Sequence, residues 1–302
     1  MKRLLAFLAA LLSGAPGLGQ GPNPQPPIYG VHYKFEKMVA ERVVDDARDK
    51  GKIRLVSLVY RPVQNDRQDV VVVLHGSTGG MAIAPEEPNL GPGPSLWFLL
   101  QRGFTVVIPM RRGRGESSGH YIEECPYQAG QCSLAEYRQL TAAGLADALA
   151  STEAVIDQVV IPRLKPRSGR ILLWGSSRGG VLALHYAATH PKVVRGVVAV
   201  SPGWLSMVEK WPAEENRLRL ALQEGLFRSA GLAYRGPALL VYADRDAFYP
   251  ESLTRELFKA FEQAGGRGQY LQVRDHPLAN GHVPPVDLWQ PQVEQFLQLL
   301  PE

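Results

Sequence analysis

The pentapeptide Gly175-Ser176-Ser177-Arg178-Gly179 is where residue type and spacing most directly imply chemistry. It follows the apolar run ending at Trp174 and precedes a helix predicted from Arg178. A serine on a sharp strand-to-helix turn takes a backbone conformation that only small neighbours permit, and it lifts its hydroxyl above the sheet. Gly175 and Gly179 give that room, Gly180 adds to it, and the turn aims the Arg178 amide at the reacting centre. A serine hydroxyl is inert at neutral pH unless a base takes its proton and a third group orients the base. Asp246, in the loop after the run Ala238–Ala243, is the predicted orienting acid. Asp244 competes with it, with bracing of the turn as its other role. His282, beside Gly281 and before the terminal helix, is the predicted base; His276 shares that loop, and His185 and His190 read as structural. The loop His75-Gly76-Ser77-Thr78-Gly79-Gly80 supplies the second oxyanion donor, assigned to the Ser77 amide beside that of Arg178, with Thr78 nearly as well suited. No G-K-[ST] or G-x-G-x-x-G pattern follows it, so it is not read as a phosphate loop.

These residues need a scaffold, and the chain alternates accordingly. Strands are predicted over Ile53–Tyr60, Val70–Leu74, Phe104–Ile108, Arg170–Trp174, Val194–Val200, Ala238–Ala243 and Gln269–Val273. Runs as continuously apolar as Val70-Val71-Val72-Val73-Leu74 belong to strands covered on both faces. Helices are predicted over Ser133–Gln158, with a capping-box spacing from Ser133 to Glu136, and over Arg178–Thr189, Leu253–Gln263 and Pro285–Leu300. The pattern predicts an α/β fold with a doubly wound, mostly parallel sheet over residues 30–302. Residues 203–236 break the rhythm and are read as a helical cap inserted over the carboxyl edge.

Lys2 and Arg3, the apolar run Leu4–Leu12 and the small residues up to Gly19 have the layout of a secretory signal peptide, cleaved after Gly19. The apolar run is shorter than the roughly 20 residues of a spanning helix. A proline-rich linker, residues 20–29, follows. The reading is therefore an exported protein, periplasmic or secreted, in an oxidising compartment where Cys125 and Cys132 form a disulfide stapling a short loop. Their spacing does not suit a zinc site, so no metal is predicted. Cleavage removes Lys2 and Arg3, taking the formal charge from +4 to +2. With no basic cluster interleaved with aromatics, nucleic acid is excluded as a partner. The 302 residues hold 45% hydrophobic and 21% charged side chains, enough to build a core, which excludes a disordered chain.

Taken in order, His75-Gly76, the Gly175–Gly179 elbow, Asp246 with Pro250, and Gly281-His282 resemble the α/β-hydrolase fold. The loop Arg111-Arg112-Gly113-Arg114-Gly115-Glu116-Ser117-Ser118-Gly119 is similar to that of dienelactone-hydrolase-like enzymes and of the catalytic domains of prolyl-oligopeptidase-like peptidases. Dienelactone hydrolase proper has a cysteine nucleophile where this chain has Ser177. The resemblance implies cofactor-free hydrolysis of an ester, thioester or amide by a Ser177–His282–Asp246 relay, with a carboxylic ester as the leading substrate class. An exported peptidase is the alternative, and a non-catalytic binding protein on this fold is the reading from another class. Arg111, Arg112 and Arg114 are candidate partners for a substrate carboxylate, or supports of their own loop.

Overall fold

The computed structural model describes residues 30–77, 94–123, 134–205 and 213–301. The signal peptide and its cleavage site, most of the proline-rich linker, Thr78, the Cys125–Cys132 bridge and the capping residue Ser133 lie outside the described residues.

The described residues form an eight-stranded sheet in the order β1-β2-β4-β3-β5-β6-β7-β8. Its strands are β1 (Tyr33–Asp45), β2 (Lys50–Pro62), β3 (Asp69–Leu74), β4 (Phe104–Pro109), β5 (Ile171–Ser176), β6 (Val194–Val200), β7 (Pro237–Ala243) and β8 (Arg267–Val273). From β4 to β8 every pairing is parallel, and β2 joins antiparallel to both β1 and β4. All seven predicted strands are present. β1 was not predicted: charged residues punctuate it, and its burial alternates as befits a strand at the sheet's edge.

Helices α2 (Leu134–Val155), α3 (Arg178–Thr189), α4 (Ala213–Ala233) and α5 (Glu251–Gln263) cover one face, and α1 (Pro94–Gln101) and α6 (Gln290–Gln298) the other. Trp174 of β5 fills the second face, with its ring 6.1 Å from Phe98 of α1 and 5.4 Å from Trp289 before α6. The predicted first helix overran α2 into a π-helical continuation, Ile156–Leu164. There Gln158 exchanges hydrogen bonds with the backbone N–H (2.9 Å) and C=O (2.7 Å) of Glu41, so a side chain satisfies part of the open edge of β1.

The cap expected over residues 203–236 is corrected by the placement of α4. Phe227 and Ala230 belong to the core shared with α3 and α5, and Leu226 O meets His185 Nε2 of α3 at 3.0 Å, so this is a layer helix that completes the β6 to β7 crossover. Gln223 Oε1 accepts the N–H of Trp204 (3.1 Å), which marks the level of the carboxyl edge. Before Gln223, Leu220 and Leu222 are partly buried against the same core, and Arg219 is buried with its guanidinium on Glu215. The helix was foreseen, but its place in the layer was not, because its buried face carries Arg219 and Gln223 beside Phe227 and Ala230. No described helix is long and apolar enough to cross a membrane.

Candidate active site

Ser177 stands between β5 and α3 at φ 52°, ψ −121°, in the left-handed half of backbone space. That conformation costs on the order of 1–3 kcal/mol for a residue with a Cβ, and the surrounding structure must enforce it. The Ser177 N–H donates to Val200 O (2.8 Å), and its C=O accepts from Gly180 (2.9 Å) and Gly203 (3.2 Å). A Cβ on Gly175 would collide with the Gly179 carbonyl, and one on Gly179 with the Leu74 carbonyl, so the turn closes only with glycine on both sides. The serine is buried at 8% exposure.

Asp246 and His282 meet as predicted. His282 Nδ1 lies 3.0 Å from Oδ2 and 3.2 Å from Oδ1 of Asp246. An ionised carboxylate only accepts, so Nδ1 carries the proton and Nε2 is left as the basic nitrogen. Asp246 Oδ1 also accepts the backbone N–H groups of Phe248 (2.8 Å) and Tyr249 (3.1 Å), which hold the carboxylate still. The rings of those residues flank the imidazole, with centroids 4.7 and 5.5 Å away. Three further contacts draw these loops toward the elbow. The Tyr249 ring packs on Gly203, whose N–H binds the Ser177 carbonyl; and Val283 N–H donates to Ser201 Oγ (3.2 Å) at the end of β6.

The competing residues have other occupations. Asp244 Oδ1 accepts from Gln272 (3.2 Å) and Arg274 (3.4 Å), on the β8 side and away from His282. His276 is buried and spends Nε2 on the Asp244 carbonyl (2.8 Å), while Nδ1 accepts the Leu278 N–H (3.3 Å). It joins the acid loop to the base loop. Gly281 is required at that junction, because a Cβ there would strike the Asp244 carbonyl. His185 is structural, bonded to Leu226 O, and burial brings it down to about 4.

The oxyanion loop touches the elbow: a Cβ on Gly76 would stand 3.2 Å from that of Ser177. Ser77 follows on the exposed side, and Arg178 heads α3, where N–H groups point out of the helix end. His75 is buried beneath them, with Nδ1 2.8 Å from Gly76 O. Burial first, and then the cationic Arg111 nearby, push its pKa well below the ordinary value, so the ring is neutral.

Arg111 and Arg112 do not face a substrate, which corrects their assignment as candidate carboxylate ligands. Arg111 is 1% exposed; it forks onto both oxygens of buried Glu123 and donates to His75 O (2.7 Å) and Gly76 O (3.2 Å). Arg112 is equally buried and binds Asp46 and Asp49 of the β1–β2 turn and Asp147 of α2. Arg114 is buried with its guanidinium 3.2 Å from the centroid of the Tyr121 ring, on the inner side of the same loop.

Glu123 is the residue that the sequence did not disclose. Its carboxylate holds Arg111, its carbonyl accepts Arg178 Nη1 (3.1 Å), and Tyr121 OH donates to Oε2 (3.2 Å). Arg178 is completed by Trp204 O (2.9 Å). One buried strut, Arg111–Glu123–Arg178, thus ties Arg178 to the carbonyls of His75 and Gly76, the two residues before Ser77. No spacing rule announces a carboxylate twelve positions after an arginine. Among the described residues, no group of three or more metal-ligating side chains is arranged to hold an ion.

The sheet architecture agrees with comparison to known proteins. The family model described as the alpha/beta hydrolase fold matches residues 69–226, more than half of the chain, and the protein belongs to this family. An esterase of Pyrococcus furiosus superposes with a TM-score of 0.55 at 18% identity, covering 88% of this chain and 91% of that one. Est1E of Butyrivibrio proteoclasticus, in a structure holding ferulic acid, gives 0.56 at 17% identity over 82% and 95%. A putative dienelactone hydrolase of Klebsiella pneumoniae gives 0.52 at 15% identity over 87% and 99%. No curated protein sequence matches the chain.

Proposed function

We propose that the chain is an exported serine hydrolase that cleaves small carboxylic esters, or thioesters, through an acyl-enzyme on Ser177. The observation that carries this reading is the bidentate approach of Asp246 to His282 Nδ1, on loops packed against a left-handed serine at the same edge of the sheet. The acid fixes the tautomer, so Nε2 is available to a serine hydroxyl. Ser177 Oγ attacks the carbonyl carbon as its proton passes to Nε2. The amides of Ser77 and Arg178 receive the oxyanion, and Asp246 stabilises the imidazolium. The alcohol departs with the proton from His282, and water repeats the sequence to release the acid and restore the serine. The esterase reading over the peptidase one is supported by the names of the structural neighbours.

A fluorophosphonate probe is expected to label the wild type and not Ser177→Ala; equal labelling of both removes Ser177 from this role. His282→Ala is expected to lower turnover of a p-nitrophenyl ester by several powers of ten, and such a loss confined to His276→Ala would transfer the base to His276. Aminoacyl and prolyl anilides assayed beside the esters decide between esterase and peptidase. Export is supported by the Lys2–Gly19 layout, and N-terminal sequencing of the exported protein is expected to begin at Gln20.

A further inference from the structure

The opposite edge of the sheet carries a charge distribution that the hydrolase reading leaves unused. A cleft of about 390 Å³ opens at the amino ends of β3 and β4, between Arg61, Arg163 and Lys165, with Gln68 and Thr105 as neutral polar lining and Asp66 as its acid. The loops around it add more cations. Arg67 and Arg195 lie over the ring of Phe104, 5.3 and 5.8 Å from its centroid, and share the single carboxylate of Asp69 at 3.4 Å each. Exposed Arg167 joins the cleft loop through its N–H to Gln68 O (2.9 Å), and Arg170 donates to the Val194 carbonyl (3.0 Å). These seven cations are gathered from the 61–67, 163–170 and 195 segments. Asp66 and Asp69 oppose them, as does Glu36, whose Oε1 lies 3.1 Å from Arg61 Nε. The crowding is felt at Arg195, whose pKa is lowered by burial first and, against the pull of Asp69, by Arg67, Arg170 and Arg167.

The N-terminal segment joins the fold at this edge. Tyr33 pairs with Pro62 in β1–β2, and Val63 N–H donates to His32 O (2.9 Å), two residues from the cleft residue Arg61. Val63 itself is 46% exposed. Ser177 and His282 lie at the carboxyl ends of the strands, so docking through the amino edge leaves the hydrolytic site facing away.

We propose that this amino edge is a docking surface for an anionic lipid bilayer, with lipid phosphates received by the cleft between Arg61, Arg163 and Lys165. Juxtamembrane basic residues attract anionic leaflets in this way, each cation strengthening binding by about fivefold at the surface, within a Debye length of about 8 Å at physiological salt. The proposal does not depend on the hydrolase reading.

The test is co-sedimentation of the exported chain, beginning at Gln20, with phosphatidylcholine vesicles, with and without phosphatidylglycerol. Arg163→Glu/Lys165→Glu/Arg167→Glu is the variant, and its thermal unfolding serves as the folding control. Wild type is expected to bind only the phosphatidylglycerol vesicles, to be released by 1 M salt, and to lose at least about a hundredfold in affinity on charge reversal. A single Arg163→Glu change, which alters one exposed side chain, is expected to lose part of the affinity and covers the case of a triple variant that does not fold. Equal binding to neutral vesicles, or binding untouched by the reversals, overturns the proposal. Binding to a polyanion such as heparin without binding to the anionic vesicles overturns it as well.

Discussion

Arg111 and Arg112 are neighbours in sequence, are equally buried, and serve two different regions. Arg111 turns inward beneath the oxyanion loop, where it meets the single carboxylate of Glu123 and the His75 and Gly76 carbonyls. Arg112 turns outward to the rim, where the carboxylates of Asp46, Asp49 and Asp147 come from two distant segments. Both regions bury a guanidinium, which is tolerable only with its donors filled. They differ in what the filling holds. The inner region fixes backbone atoms next to the reacting centre, and the outer one staples the β1–β2 turn and α2 to the loop after β4. On the proposed mechanism, buried charge therefore acts on turnover in one place and on stability in the other.

The sharpest way to break this contrast is to remove the outer arginine. Arg112→Met removes the cation shared by Asp46, Asp49 and Asp147, leaving Arg42 on Asp147 alone, and is expected to lose about 3 to 5 kcal/mol of stability by urea denaturation. Its kcat, measured where the variant is still folded, is expected to stay near that of wild type; a large fall in kcat would erase the distinction between the regions. At the inner region, Arg111→Lys keeps the charge but not the fork, and is expected to lower kcat about ten- to a hundredfold with little change in KM. Phosphonate labelling is expected to slow in parallel, since both reactions charge the same oxyanion position. A rise in KM at unchanged kcat would instead return Arg111 to substrate binding.

The smallest effect concerns acid. Asp46 is held far below its ordinary value near 3.8, by the Arg112 guanidinium first and then by the Asp49 and Arg48 N–H groups. Asp49 opposes the cost of its burial with the His120 N–H, the His120 ring and Arg112, and comes to about 2. Carboxylates with depressed folded values bind protons more tightly in the unfolded chain, so their contribution is complete above about 4 and is lost as pH falls toward 2. Denaturation midpoints followed from pH 5 to pH 2 are expected to fall less steeply in Asp49→Asn than in wild type; identical slopes would remove the outer cluster from acid sensitivity.

Much of the scaffold was legible because its signals are short-range. Continuous apolar runs such as Val70–Leu74 specify doubly covered strands wherever they occur, and the glycines around Ser177 are needed by the turn they make themselves. β1 escaped because an edge strand buries only part of its length, so charged residues interrupt its pattern. In the site, Asp246 and His282 were readable from their positions after strands, and the structure joins them. Asp244 and His276 could be set aside only once their partners were visible, since one residue type in one loop serves either purpose.

The sequence by itself determined the alternation of strand and helix and the glycine-bounded elbow, because each follows from residues close together in the chain, and it sets the order in which serine, acid and histidine occur. Tertiary structure alone decided which carboxylate each buried arginine received, that Glu123 would link Arg111 to Arg178, and that seven cations from separated segments would collect at one edge. A charge can pair with any opposite charge within reach. What lies within reach is set by packing between segments tens of residues apart, and no local pattern in the chain encodes that.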